Sequence, residues 1–267
     1  MSNEIIKNMP FDEYLSLKRL SASGIKKLLV SSQDFWTSSW MNPNKREYKS
    51  DAFNLGTAYH TRILEGESVF NYRYAMIEKV DGRTKEGKAY KKSWALEHPN
   101  ANPIDEETYA DINNAMACNL EQFQGGDSEV TILWNDSETN TPMKARIDYL
   151  KAGNIYDLKT FSNDNADINQ LIVRNITDYK YHVQAAVYCE ALPEHDFTFV
   201  FQQTGQVNNC LVKHLPSNLM ITESGRQLMR KGINKFAEKY LEFGDKPWYD
   251  PIFIEEFTDE QFPIWAL

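Results

Sequence analysis

The chain has 267 residues, 42% apolar and 25% charged, with a net charge of −9. That length and balance support one large domain or two small ones with a real core and exclude a disordered chain. The acidic excess excludes blanket attraction to nucleic acid, although a local groove stays open to it.

Residues 1–20 read as a polar lead-in. A helix is expected over residues 24–29, with Ser21 or Ser23 as its N-cap. Phe35, Trp36 and Trp40 follow, and aromatics so spaced are core residues before they are a stacking platform. Residues 52–65 predict a second helix, with close packing at Gly56 and Ala58 and an apolar stripe of Phe53, Tyr59, Ile63 and Leu64. His60 lies on it; a lone helical histidine is usually structural and becomes a ligand candidate only if carboxylates gather nearby. Between Lys79 and Lys92 basic residues outnumber acidic ones, as on either a solvated helical face or a phosphate-contacting one.

Residues 104–124 predict a helix ended by Gly125-Gly126, residues 129–134 a strand, and 135–140 a turn. Glu129 is then a third acid for a site or merely a strand-end residue. Beyond Thr160 a polar segment holds one short helix near 168–173. A firm helix over 179–192 follows, with Tyr181, Gln184 and Tyr188 on one face, able to touch a nucleotide or to satisfy buried backbone. Residues 197–203 and 208–214 form a hairpin, and 217–243 a long amphipathic helix with Met220, Leu228, Ile233, Phe236 and Tyr240 among its apolar positions. No internal repeat or linker interrupts this order, so one elaborated domain is expected. Cys118, Cys189 and Cys210 have no metal-ligand spacing, which fits reduced thiols and a cytoplasmic location. No leader pattern and no apolar run of membrane-spanning length appears, so no membrane partner is expected.

The chemistry concentrates at residues 146–160, two strands joined by Lys151-Ala152-Gly153-Asn154. Alternation puts Asp157 and Lys159 on one face, with Leu158 turned toward the core. Strand twist can bring Asp148 toward Asp157. Two hard carboxylates and an ammonium would then converge. One or two such carboxylates suffice to hold Mg2+, with Mn2+ as a substitute, beside a substrate phosphate. Lys159 can then position water or offset charge on the phosphate. An ordinary amphipathic hairpin with solvated Asp and Lys has the same short pattern, so the context must decide.

Ile147-Asp148 followed by Asp157-Leu158-Lys159 resembles the motif of the PD-(D/E)xK nuclease superfamily, with Ile147 where the motif has proline. Gly56-Thr57-Ala58-Tyr59-His60 and Tyr181-x-x-Gln184-x-x-x-Tyr188 resemble flanking motifs of its RecB/RecE-like branch. Leu20-Ser21-Ala22-Ser23 and the segment 262–266 fit the exonuclease VIII (RecE-type) nuclease domains of phages and prophages, so the similarity spans nearly the whole chain.

The resemblance implies an α/β (α+β) fold: a restriction-endonuclease-like mixed central sheet flanked by helices. Residues 1–267 would form one nuclease domain with helical elaborations at the N-terminus and at 80–125. It implies metal ligation by Asp148, Asp157, the Leu158 carbonyl and His60, with Glu129 as a further acid. Lys159 would be the catalytic lysine, and Gln184 and Tyr188 would shape the site and meet DNA. The activity implied is metal-dependent 5′→3′ degradation of double-stranded DNA ends. The 3′ strand left would serve a single-strand annealing (RecT-like) partner in phage-type recombination, and a homo-oligomeric ring would hold the duplex. An endonuclease or single-strand-preferring nuclease, and a non-catalytic DNA-binding or assembly subunit, stand as alternatives. Intact Asp148, Asp157 and Lys159 weigh against the last.

Overall fold

The computed structural model describes residues 3–46, 51–119, 121–250 and 258, with the backbone alone at 51–54 and 116–119. The expected features at 262–266 and at the Phe53 side chain therefore lie outside the described residues. Among the described residues the strands are β1 (Glu4–Ile6), β2 (Tyr74–Met76), β3 (Asn102–Ile104), β4 (Asp127–Asn135), β5 (Pro142–Lys151), β6 (Asn154–Phe161), β7 (Asp196–Gln203) and β8 (Cys210–His214). Six of them form a mixed sheet in the order β1-β4-β5-β6-β7-β8; β6 and β7 run parallel and the other pairs antiparallel. β2 and β3 form a separate parallel pair.

Among the described residues ten α-helices surround these strands: α1 (Phe11–Ser16), α2 (Ala22–Leu28), α3 (Ser32–Ser38), α4 (Asp51–His60), α5 (Glu67–Arg73), α6 (Lys85–Glu97), α7 (Glu106–Asn119), α8 (Ile168–Asp178), α9 (Tyr181–Ala191) and α10 (Met220–Phe243). Among the described residues no helix is long and apolar enough to cross a membrane. The lead-in is thus more than polar coil, since it supplies an edge strand paired to β4 and a short helix. α1 has no buried residue and β1 spans three positions, so neither prints a hydrophobic period on the sequence.

Apolar residues fill both faces of the sheet. On one, Val130, Ile132, Met143, Ala145, Ile147, Ile155, Phe197, Phe199 and Phe201 meet α2, α9 and α10 through Ile25, Leu28, Val183, Val187 and Ile233. On the other, Tyr149, Leu158 and Val200 meet Tyr59, Ile63, Phe70 and Ile112. Each such aliphatic side chain stabilises the fold by about 1.5–3 kcal/mol when fully buried.

Local chemistry sets the elements. Ser21 caps α2 by accepting from the Gly24 N–H, which decides between the two candidate serines. Asp167 caps α8, which runs to Asp178 rather than stopping near 173. The β5–β6 turn places Ala152 (φ +46°) and Gly153 (φ +79°) in the left-handed region, a type I′ turn matched to strand twist. α10 lies so close to its neighbours that a Cβ on Gly225 would sit 2.4 Å from the His182 carbonyl and one on Gly232 2.6 Å from Ile25 Cγ2. Those two glycines fix α9 and α2 against one helix. Met220 and Tyr240, expected on the apolar face of α10, are instead exposed at 91% and 47%. The basic stretch is solvated, with Lys79 paired to Asp105 and Glu107 and Arg83 to Asp81.

Candidate active site and metal centre

The site lies where the sheet departs from regularity. The β5–β6 ladder ends at Tyr149↔Tyr156, one residue before Asp148 and Asp157, which stay in register while their strands separate. Across β5, Glu129 on β4 sits opposite Asp148 at φ +55°, a conformation that costs a non-glycine residue about 1–3 kcal/mol. Ile147 and Tyr149 fall in different apolar clusters, although residues two apart on a flat strand share a face. The alternation therefore shifts across Asp148. Strain and irregularity meet at the carboxylates.

His60 ends α4 and leads into a π-helical turn, Thr61–Glu65. Its Nδ1 lies 3.9 Å from Asp148 Oδ2. One ligand atom each from His60, Glu129 and Asp148 fall within 4.8 Å of one another. Burial, followed by the nearby Lys159 ammonium, lowers the His60 imidazole to about 4, so its ring is neutral and able to ligate at neutral pH. The ring also hydrogen-bonds the Leu158 backbone. Leu158 N donates to Asp148 Oδ2 at 2.8 Å.

Asp157 stands beside this triangle, fully buried. Its Oδ1 accepts from Gln184 Nε2 at 2.9 Å, and its Oδ2 pairs with Lys159 Nζ. Gln184 Nε2 also donates to the Tyr188 hydroxyl at 3.0 Å, which donates to the Arg146 carbonyl at 2.8 Å. α9 thus braces Asp157 from one side, with the tyrosine tied back to β5.

The electrostatics are those of crowded acids. Burial, with the Asp157 charge next, pushes the Asp148 carboxyl up to about 7. Burial and Asp148 raise Glu129, against the opposing pull of Arg146. Burial opposes the Lys159 charge, but Asp157 and Asp148 outweigh it and raise the ammonium. Arg146 pairs with Glu129, donates to the Met9 carbonyl at 2.8 Å and lies under the rings of Phe11 and Tyr14. The triangle opens on a cleft of about 1070 Å³ walled by Phe11, Tyr14, Gly56, Thr57, Arg73 and Arg146. A more apolar cavity of about 740 Å³ between α9 and α10 holds none of these groups.

The donor set fits a hard or borderline divalent cation. It offers two carboxylates and a neutral imidazole at one point, with Asp148 close enough to raise the proton affinity of Glu129.

Residues 21–243 match a family model described as a PDDEXK-like domain of unknown function (DUF3799). The chain belongs to that family. A solved structure from Eubacterium rectale, described as a "Putative exonuclease", is 14% identical, with a TM-score of 0.59 over 95% of this chain and 96% of that chain. At that identity the likeness shows the shared fold. Among curated proteins, none matches the chain. The PDDEXK-like family supports a nuclease.

Of the residues singled out in this PDDEXK-like sequence, His60, Glu129 and Asp148 come together, and Leu158 lies against two of them. Asp157, Lys159, Gln184 and Tyr188 form the adjoining chain of contacts, with both Asp157 oxygens already engaged. Glu65, which the sequence places close to the His60 motif with a structural role as open as a functional one, is bonded to Arg73 at the cleft wall. Sequence reasoning gave no role to Phe11 or Tyr14, and it placed Arg146 only close to the motif, with a structural role as open as a functional one. A charged residue two before Asp148 was the only signal for Arg146, and the two rings lie in a stretch without periodicity.

Proposed function

We propose that this chain is a divalent-metal-dependent DNA exonuclease that degrades double-stranded ends 5′→3′. The reading rests on one observation: Asp148 and Asp157 face each other on separating strands, with Lys159 on one acid and His60 and Glu129 around the other. Asp148, Glu129 and His60, with the Leu158 carbonyl and Asp157 adjacent, would hold Mg2+ or Mn2+. Such an ion supplies Lewis acidity at the phosphate.

The chain's own groups do the rest. Lys159, protonated and held by Asp157, offsets negative charge as it builds on the phosphate and orients water. Gln184 fixes the Asp157 carboxylate, and Tyr188 fixes Gln184. Arg146 holds Glu129 at the cleft wall. The domain is read as one unit, 1–267, with the segment 80–125 as an elaboration. Its work in the cytoplasm would leave a 3′ strand for an annealing partner during recombination, with a ring of copies around the duplex.

Linear duplexes labelled at either end, and closed circles, test this with Mg2+, Mn2+ and EDTA. Loss of the 5′ label first, dependent on metal, is the expected outcome. Cleavage of closed circles removes the exonuclease assignment, and no cleavage under any metal removes the nuclease. Calcium is expected to support binding but little turnover, because its looser coordination orients water less strictly. Light scattering of the purified protein, with and without duplex, tests the ring.

A further inference from the structure

Beside Lys159, outside the walls of the cleft, two ammonium groups flank one aromatic ring. Lys159 Nζ lies 5.1 Å from the Tyr181 ring centre and Lys26 Nζ 5.6 Å from the same centre. Lys26 is carried there by α2, whose Ile25 and Leu28 are buried, so its stem is fixed by the core. Among the described residues Lys26 makes no ion pair. Its bond is to the Tyr179 carbonyl at 3.2 Å, and Asp157, which acts on it from nearby, is already engaged by Lys159 and Gln184.

A lysine at the end of α8 explains that bond, since the end of a helix favours a cation. It does not explain a place beside a second ammonium. Burial and then Lys159 lower the Lys26 ammonium to about 8, so the placement costs stability. An anion at this spot relieves the Lys26 charge, since Lys159 is already paired with Asp157. Next to it Tyr179 is 59% exposed, its ring stacked on Tyr181 at 5.6 Å and 27°. Lys180 follows at φ +53°, the turn that joins α8 to α9 and presents the Tyr179 ring outward.

We propose that Lys26 and Tyr179 form a ledge for one unpaired nucleotide of the DNA strand being cut, with its phosphodiester on Lys26 and its base on Tyr179. This rests on the nuclease reading above and adds a binding site to it. Cations take the strand backbone and rings take bases irrespective of sequence, which is what an enzyme consuming any sequence requires.

The test uses the full chain in EDTA and short single-stranded oligodeoxynucleotides carrying 2-aminopurine at each position in turn. Wild type is expected to quench the probe at one position. Tyr179→Ala should abolish that quenching and weaken binding by about tenfold or more. Lys26→Gln should reduce the dependence of log affinity on log salt by about 0.7, and Lys26→Arg should restore it. Both side chains reach solvent, and thermal unfolding verifies that each variant folds. An unchanged salt slope in Lys26→Gln, or quenching retained in Tyr179→Ala, overturns the ledge. If wild type still degrades duplex DNA with metal, the nuclease reading survives that failure. A wild type that binds no single strand also overturns the ledge.

Discussion

Two carboxylate sites in this sheet, one around Asp136 and one around Asp148, behave in opposite ways. Asp136, at the β4–β5 turn, accepts from Thr139 N at 2.8 Å and Thr139 Oγ1 at 2.7 Å, and pairs with Arg230 at 2.7 Å. Burial would raise it, yet those bonds and the guanidinium hold its carboxyl below the usual range. Asp148, near the other end of the same hairpin, accepts one backbone N–H and faces two more acids, and it is pushed up to about 7. The first group is complete as it stands and works as a strut. The second is a compromise among crowded charges, which supports the cation site proposed above.

The strongest way to break this comparison is through Lys159. Lys159→Ala is expected to reduce DNA cleavage by roughly 10³-fold with DNA binding near wild type, because on the proposed mechanism the ammonium acts on charge that builds during the reaction. It should also lower stability, since it leaves the buried Asp157 without its partner. Activity within a few-fold of wild type would take Lys159 out of the chemistry.

Next in size, Asp136→Asn should lower stability in urea by about 3 kcal/mol, since it strips Arg230 of its buried partner. Asp148→Asn, in EDTA, should cost nothing or stabilise. If Asp148→Asn proves the more damaging of the two, the contrast between strut and site is wrong.

The pH dependence sharpens the contrast because the signs differ. With a folded value near 7 against about 3.9 unfolded, Asp148 keeps its proton in the native state while the unfolded chain loses it. Its contribution therefore falls as pH rises from about 4 to 7 and is level above that. Asp250 runs the other way: bonds from Ser32 and the Lys235 ammonium, against burial, hold it at about 2. Its contribution is present above about pH 4 and is lost as pH falls through 2. Urea titrations in EDTA should show the first slope in wild type and not in Asp148→Asn. A wild-type curve flat from pH 4 to 7 would contradict the crowding of the acids.

The smallest effect is expected at His60. His60→Ala should leave the fold intact and raise the Mn2+ concentration for half-maximal activity by about tenfold. An unchanged metal titration returns His60 to a structural role.

Much of this was legible before any coordinates. The hairpin around Gly153, the face of α9 bearing Gln184 and Tyr188, and the paired motifs on β5 and β6 follow from turn chemistry and periodicity, which act locally. What was hidden depends on distant contacts. β1 forms because β4 offers it an edge, and α1 is held by Lys144, whose ammonium bonds the carbonyls of Tyr14 and Leu17. No residue within either element announces that. The left-handed Glu129 was equally unreadable, since glutamate has no preference for it and only its place opposite Asp148 rewards it.

The turn at Ala152-Gly153 is solvent-exposed and carries no chemistry of its own. It nevertheless counts the residues that bring Asp148 opposite Asp157, four steps back along one strand and four forward along the other. One residue inserted there would slide β5 past β6 and move an aspartate to the wrong side of the sheet. A surface loop is in this way a calibration mark for the proposed site, because its length decides which two acids meet.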